Sequence, residues 1–254
     1  MYFRIRSLFF ILLLFFTYFK INGQQKGDFN IGPLFGVNLN IPSGEGIDSL
    51  LILYQNTSEY YDDIDGVSFN SNITNRYQSN IGIFFEYYFL ENIALYSSIS
   101  YSQKGFIIKE KTIIDIGLYT KQDSLSKINL NYINLPFLLK YHFKNKIQIF
   151  GGISLNYCES DRVYSNSNLT YQILDSEGNT NTINEESNSR IEFSKFFNTR
   201  PPNQMLYGYQ VGIAFELMKF NFSLRFDNST SFGKLLNYNK NYINTIIFYT
   251  ALSF

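Results

Sequence analysis

The sequence of 254 residues predicts an all-β fold, namely an eight-stranded antiparallel up-and-down transmembrane β-barrel. Apolar and polar residues alternate in segment after segment from residue 29 onward, which gives each strand one face for lipid and one for the barrel interior. Aromatic residues make up 19% of the chain, and beyond the N-terminal segment no apolar run reaches the roughly 20 residues that a membrane helix needs. The segments are joined by connections that switch regularly between short and long.

Residues 1–23 have the pattern of a secretory signal peptide. Arg4 and Arg6 precede an almost wholly apolar run from Leu8 to Phe19, and Gly23 precedes a polar stretch. The apolar run is too short to cross a bilayer as a helix. We therefore predict cleavage after Gly23 and a barrel domain over residues 24–254, with an uncleaved N-terminal anchor as the alternative.

The first four predicted strands span about residues 29–40, 79–89, 93–105 and 128–143. The fourth turns Lys140 and His142 inward. In the first three, the alternation assigns an apolar face to lipid, formed by Phe29, Ile31, Phe35, Val37 and Leu39, then Ile81, Ile83, Phe85, Tyr87 and Phe89, then Ile93, Leu95, Ile99 and Tyr101.

The last four predicted strands span about residues 147–159, 205–217, 220–232 and 242–254. In the seventh, Phe220, Phe222, Leu224 and Phe226 face lipid, while Asn221, Ser223, Arg225 and Asp227 face inward. The eighth strand ends in Phe254, on the same face as Phe248 and Leu252. A terminal aromatic residue preceded by alternating apolar positions is typical of the strand that the barrel-insertion machinery recognises. Pairing of this strand with residues 29–40 would protect its exposed edge.

The connections predict the topology and the location. Those at 90–92, 144–146 and 218–219 are short, whereas those at 41–78, 106–127, 160–204 and 233–241 are longer. Outer-membrane barrels have short periplasmic turns, long extracellular loops and an even strand number, so we expect both termini to be periplasmic. The location predicted is the cell outer membrane of a Gram-negative bacterium. A soluble eight-stranded barrel such as a lipocalin is the alternative, but its outer face would be polar.

Two motifs resemble a known family. Tyr132-Ile133-Asn134-Leu135-Pro136-Phe137-Leu138-Leu139-Lys140-Tyr141 resembles the central strand signature of the PorT-like outer-membrane β-barrel proteins of Bacteroidetes. The segment from Leu224-Arg225-Phe226-Asp227 to Ser231-Phe232-Gly233-Lys234-Leu235 is similar to the penultimate-strand motif of that family. The resemblance implies an outer-membrane location, and the namesake of the family is tied to protein secretion.

Six charged or titratable residues point into the predicted barrel: Glu86, Lys140, His142, Glu216, Arg225 and Asp227. The interior of an eight-stranded barrel is only wide enough for side chains to fill it. Because an isolated buried charge is very costly, we predict a filled polar interior with a salt-bridge network around Arg225 and Lys140, paired with Glu86 and Glu216. A narrow ion or proton path is the alternative.

Composition and motifs give little support to other activities. Removal of residues 1–23 takes three basic residues from a total of 21 and none of the 21 acidic ones, so no nucleic-acid partner is predicted. Cys158 is the only cysteine, and His142, the only histidine, lies near a short turn. Asp62 to Gly66 lacks the flanking carboxylates of a calcium loop. We therefore predict no enzyme activity, no metal and no cofactor.

We expect a non-enzymatic membrane scaffold that displays long loops for structural or recognition purposes. Outer-membrane lipid and the barrel-insertion machinery are the predicted partners, and a surface or secretion partner would bind through loops 41–78 and 160–204. A component of a secretion or transport assembly is the alternative function. An outer-membrane enzyme comes third, since it would need a Ser or carboxylate clustered with His142.

Overall fold

Eight antiparallel strands close into a ring in the computed structural model. The structure describes residues 26–143, 146–192, 195, 205–217, 219–228 and 241–252, so the predicted signal peptide and the terminal Phe254 lie outside the described residues. The elements are β1 (Phe29–Gly44), α1 (Glu45–Asp62), β2 (Val67–Thr74), β3 (Arg76–Leu90), β4 (Ile93–Lys104), β5 (Ile107–Ile116), β6 (Leu118–His142), β7 (Ile147–Leu174), β8 (Thr180–Ile191), β9 (Met205–Leu217), β10 (Phe220–Asn228) and β11 (Asn241–Leu252).

The ring runs β1, β3, β4, β6, β7, β9, β10, β11 and back to β1. These strands are the eight segments that the alternation predicts, so the antiparallel eight-stranded barrel is confirmed. The last strand closes on the first, with Leu34 opposite Ala251 and Gly44 opposite Asn241. Closure pairs the backbone groups that a free edge would leave exposed.

The outer wall of the ring is an apolar band. Its side chains point away from the interior and remain accessible, as Phe222 at 45% and Ile149 at 47% illustrate. On β6 and β7 the band ends at the opposed residues Ile133 and Tyr157, beyond which Asn131 and Glu159 are polar. Large apolar side chains exposed in such numbers fit a hydrocarbon surrounding and not water.

Much of the sequence predicted as loop is strand. Beyond the apolar band, β2, β5, β8 and the outer parts of β6 and β7 (residues 118–131 and 160–174) form a five-stranded sheet in the order β2-β5-β6-β7-β8, here called the extramembrane sheet. Within the predicted loop 160–204, Tyr171–Leu174 and Arg190–Ile191 are parts of β7 and β8. Most of the rest of the sheet was not predicted because, away from the barrel mouth, both of its faces are accessible and most of its residues are polar. No alternation of apolar and polar residues marks these strands in the sequence.

Helix α1 lies within the predicted loop 41–78 and packs on the loop end of the barrel. Ile47, Leu50 and Tyr54 recur at helical spacing and form its inner face, and Glu45 and Asp48 favour the positive N-terminal end of the helix dipole. Ile47 and Leu50 are 3% and 6% exposed. In the part of the chain described, no helix combines the length and apolarity needed to cross a membrane.

Candidate functional site

The barrel interior is filled by four layers, of which two are polar and two apolar. From the short-turn end they are a basal polar layer (Glu86, Lys140, His142, Gln148, Glu216), a lower apolar layer (Leu34, Phe84, Tyr96, Leu138, Phe150, Ala214, Ile247, Tyr249, Ala251), a central polar layer (Asn38, Asn80, Ser102, Lys104, Asn134, Asn156, Gln210, Asp227, Thr245) and an upper apolar layer (Phe106, Ile108, Ile128, Leu130, Tyr132, Cys158, Val163, Leu206, Ile243). The filled polar interior predicted from the sequence is therefore polar in only two of the four layers. A narrow barrel leaves no room for a water column, so apolar side chains pack there as in a protein core.

The basal polar layer contains one ion pair with histidine attached. Lys140 Nζ lies 2.9 Å from Glu86 Oε1, and His142 Nε2 lies 3.2 Å from the same oxygen. The His142 ring also packs on Tyr88, with the ring centroids 4.9 Å apart. Lys140 and Glu86 thus form the predicted ion pair, and His142 contacts the same carboxylate.

Glu216 belongs to the basal layer and bonds to a glutamine. Its Oε2 accepts a hydrogen bond of 3.2 Å from Gln148 Nε2, and Gln148 Oε1 accepts one of 2.8 Å from Asn221 Nδ2. Glu216 is opposite Asn221, whereas Arg225 is opposite Gly212. Four residues along a strand correspond to about 13 Å, which is too far for the predicted contact between Glu216 and Arg225.

Arg225 lies instead in the lower apolar layer, among three aromatic rings. Its guanidinium carbon is 4.5 Å from the Tyr96 ring centroid, 5.0 Å from that of Phe150 and 4.4 Å from that of Tyr249. No carboxylate in the described ranges forms an ion pair with it. The predicted salt-bridge network therefore does not include Arg225. Aromatic ring faces, and not carboxylates, surround this cation.

Asp227 pairs with a residue that the sequence analysis missed. Lys104 Nζ lies 2.7 Å from Asp227 Oδ2, and both side chains are fully buried in the central polar layer. Lys104 Nζ is also 5.7 Å from the Tyr132 ring centroid. Lys104 shares the inward face of β4 with Tyr96 and Ser102, so the alternation within the predicted strand 93–105 could have identified it.

Helix α1 covers the upper apolar layer. Ile47 and Leu50 contact this layer, with Tyr54 packed against its edge. Tyr54 Oη donates a hydrogen bond of 2.7 Å to Glu110 Oε1, and Ser58 Oγ donates one of 2.8 Å to the Phe69 carbonyl. Burial, followed by the Glu110 carboxylate, raises the pKa of Tyr54 well above its usual range, so this hydroxyl stays a donor. The helix is thereby tied to β2 and β5 and closes the loop end of the barrel.

Two polar grooves indent the extramembrane sheet. The larger, of about 770 Å³, is lined by Ser58, Asp62, Ser68, Phe69, Asn70, Asn72, Lys109, Glu110, Lys111, Ile113, Asp123, Ser124, Leu125, Asn166 and Asn168. The smaller, of about 450 Å³, is lined by Leu125, Lys127, Tyr164, Ser165, Asn166, Asn188, Ser189 and Arg190. The grooves share Leu125 and Asn166, so a polar grooved surface extends from β2 to β8.

The remaining candidates for site chemistry are groups of metal-ligating side chains and the thiol of Cys158. Within the described ranges, no three His, Cys, Asp or Glu side chains come together as metal ligands. Cys158 is buried, and its Sγ lies 3.8 Å from the Ser160 carbonyl oxygen.

Comparison with known proteins gives one family match and several distant structural ones. A family model described as "Outer membrane protein beta-barrel domain" matches residues 22–237. No curated protein matches the chain. The chain is similar to the attachment invasion locus protein Ail of Yersinia pestis at 11% identity, with 91% of this chain and 100% of that chain covered and a TM-score of 0.37. It is similar to the outer membrane protein OprG from Pseudomonas aeruginosa at 13% identity, with 92% and 97% covered and a TM-score of 0.34.

Proposed function

Since the chain belongs to the outer membrane protein beta-barrel domain family, we propose that it is a closed, non-enzymatic outer-membrane scaffold that displays the extramembrane sheet at the cell surface for recognition. One observation carries the proposal: the barrel is blocked by four packed layers and α1, whereas β5 to β8 extend far beyond the apolar band. Residues 118–133 of β6 correspond to about 50 Å of strand. A membrane-crossing strand needs only about 9–11 residues, so this additional length supports display outside the membrane.

The orientation is part of the proposal. The short turns and both termini face the periplasm, and the extramembrane sheet faces outward, as the alternation of short and long connections favours. His142 is at the short-turn end, and its described neighbours Glu86 and Tyr88 support a structural role for this histidine.

Surface labelling tests the orientation. In a Cys158→Ser background, Ser187→Cys in β8 and Lys219→Cys at a short turn place single thiols at opposite ends of the protein. With a membrane-impermeant maleimide on intact cells, we expect labelling of the first variant only, and labelling of the second after the outer membrane is permeabilised. Labelling of Lys219→Cys alone on intact cells would reverse the orientation and contradict surface display.

Conductance tests the closed interior. The purified full chain in a planar lipid bilayer should give no ion conductance, because Ile47 and Leu50 cover the upper apolar layer and the lower apolar layer blocks the lumen beneath. Stable unitary currents would contradict the scaffold and favour a channel.

A place among the PorT-like proteins of Bacteroidetes is a finer proposal, supported by the two motifs described above. The first motif lies within β6, and the described part of the second, Leu224–Asp227, lies within β10. A role in protein secretion would follow from that resemblance alone. Stoichiometric copurification with large envelope proteins would support it.

A further inference from the structure

Every lysine and arginine of the extramembrane sheet lies on the same face. The strand register places six cations there: Lys109, Lys111, Lys121, Lys127, Arg162 and Arg190. Asp115, Asp123 and Glu186 share this face, and Glu159 borders it. The opposite face of these described strands carries Glu110, Asp161 and Glu185 and no Lys or Arg.

The basic face continues the lipid-facing wall of the barrel. Lys127 and Ile133 are six positions apart along β6, so they project to the same side. Arg162 is opposite Asn129, four residues beyond the last apolar residue of the band, and Lys127 is six residues beyond it. With a strand tilt of 35–45°, these positions rise about 10 and 15 Å above the hydrocarbon boundary. That is above the roughly 5–8 Å that phospholipid headgroups occupy, at the level that a larger sugar headgroup reaches.

Two of the three cations nearest the membrane, Lys127 and Arg190, line the smaller groove, and the third, Arg162, lies one ladder position closer to the membrane. Lys127, Tyr164 and Arg190 are opposed on three adjacent strands, which separates the two cations by about 10 Å across the tyrosine. The Arg190 guanidinium carbon lies 5.3 Å from the Tyr164 ring centroid, which orients its planar donors. Asn166 Nδ2 donates a hydrogen bond of 2.8 Å to Asn188 Oδ1 at the next ladder position.

We propose that the smaller groove binds the phosphorylated sugar headgroup of a glycolipid. The lipid would lie in the membrane leaflet on the same side as the extramembrane sheet. Lys127 and Arg190 would neutralise a phosphate held between them. The amides of Asn166 and Asn188 donate to Glu186 Oε1 at 3.0 and 3.2 Å, and these amides together with that carboxylate would contact the sugar hydroxyls. The face is continuous with the lipid-contacting wall and carries the charge opposite to such headgroups, which favours a lipid over a soluble partner. The inference rests on the proposed surface exposure of the sheet.

Lipid binding by the purified full chain tests the proposal. The protein in neutral detergent is titrated with bisphosphorylated lipid A, and the bound lipid is counted by native mass spectrometry. Lys127→Gln/Arg190→Gln should lower the affinity about tenfold or more, given the contribution of each cation near an anionic headgroup. Lys111→Gln/Lys121→Gln removes the same charge from the same face farther from the membrane and should change the affinity less than threefold, or about 0.6 kcal/mol.

Three outcomes would overturn the proposal: unchanged affinity in Lys127→Gln/Arg190→Gln, an equal loss in both double variants, or equal binding of dephosphorylated lipid A. Lys127→Arg/Arg190→Lys keeps both charges and should retain most of the affinity. Each variant is checked for folding by comparing its gel migration with and without boiling, since a folded barrel migrates differently from the unfolded chain. Because lipid binding in detergent does not depend on orientation in the cell, its failure is distinguishable from a failure of the surface labelling.

Discussion

The buried pair formed by Lys104 and Asp227 should contribute to stability only while both charges are present. Their side chains are fully buried, and the ions are 2.7 Å apart. Asp227→Asn leaves the Lys104 ammonium buried without its counter-charge, and Lys104→Met does the reverse. Each single substitution should lower the free energy of unfolding by about 3–5 kcal/mol. Lys104→Met/Asp227→Leu should cost less than either single change, because neither charge of the pair then remains buried without the other.

Guanidinium unfolding in lipid vesicles, followed by the far-ultraviolet circular dichroism of the strands, measures these losses. Tryptophan fluorescence has no native signal, since the chain has no Trp. Asp123→Asn is the matched control, because Asp123 pairs with Lys121 at the same 2.7 Å but the two side chains are 44% and 34% exposed. Water screens that pair, so the control should change the free energy of unfolding by about 1 kcal/mol or less.

Two results would refute the reasoning. One is a cost below about 1 kcal/mol for both Asp227→Asn and Lys104→Met, which would mean that water reaches the central polar layer. The other is a double variant whose cost equals the sum of the single costs, which would mean that the two charges do not interact.

Three further predictions concern packing, the helix and a turn. Gly152→Ala should prevent the heat-modifiable folded form on gels, because its Cβ would collide with the Phe137 carbonyl oxygen, whereas Gly151→Ala, with 3.5 Å to its nearest neighbour, should fold normally. Leu50→Ala should lower the free energy of unfolding by about 2–5 kcal/mol and speed protease cleavage within α1. Leu53 is 50% exposed, so Leu53→Ala should do neither. Equal cleavage of the two variants would contradict the packing of α1 on the barrel. The amide of Asn179, helped by that of Glu177, donates to Asp175 Oδ1 and lowers the pKa of that carboxyl. The turn should therefore be stabilised at neutral pH and lose this stabilisation as the pH falls below about 4 through the lowered pKa. The measurement is the protection factor of the Asn179 amide, that is, its hydrogen exchange relative to an unstructured peptide at the same pH, which should fall; an unchanged protection factor would contradict the prediction.

The sequence predicted the candidate site in part. Alternation along β3, β6 and β10 was sufficient to direct Glu86, Lys140 and Asp227 inward. It could not say which charges meet, because pairing depends on the stagger between strands that are distant in sequence. The contact of Lys104 with Asp227 joins residues 123 positions apart, and Arg225 is placed among three aromatic rings from β4, β7 and β11.

By itself the sequence determined the barrel. Eight apolar faces with period two, joined by connections of alternating length, are local patterns that only a closed membrane sheet can satisfy, because lipid must cover one face and every backbone group needs a partner. The tertiary structure alone decided that the interior is layered, that α1 covers the loop end, and that β6 and β7 continue into the extramembrane sheet. In those regions the side chains contact one another or water on both faces. No alternation of apolar and polar residues in the sequence therefore predicts their arrangement.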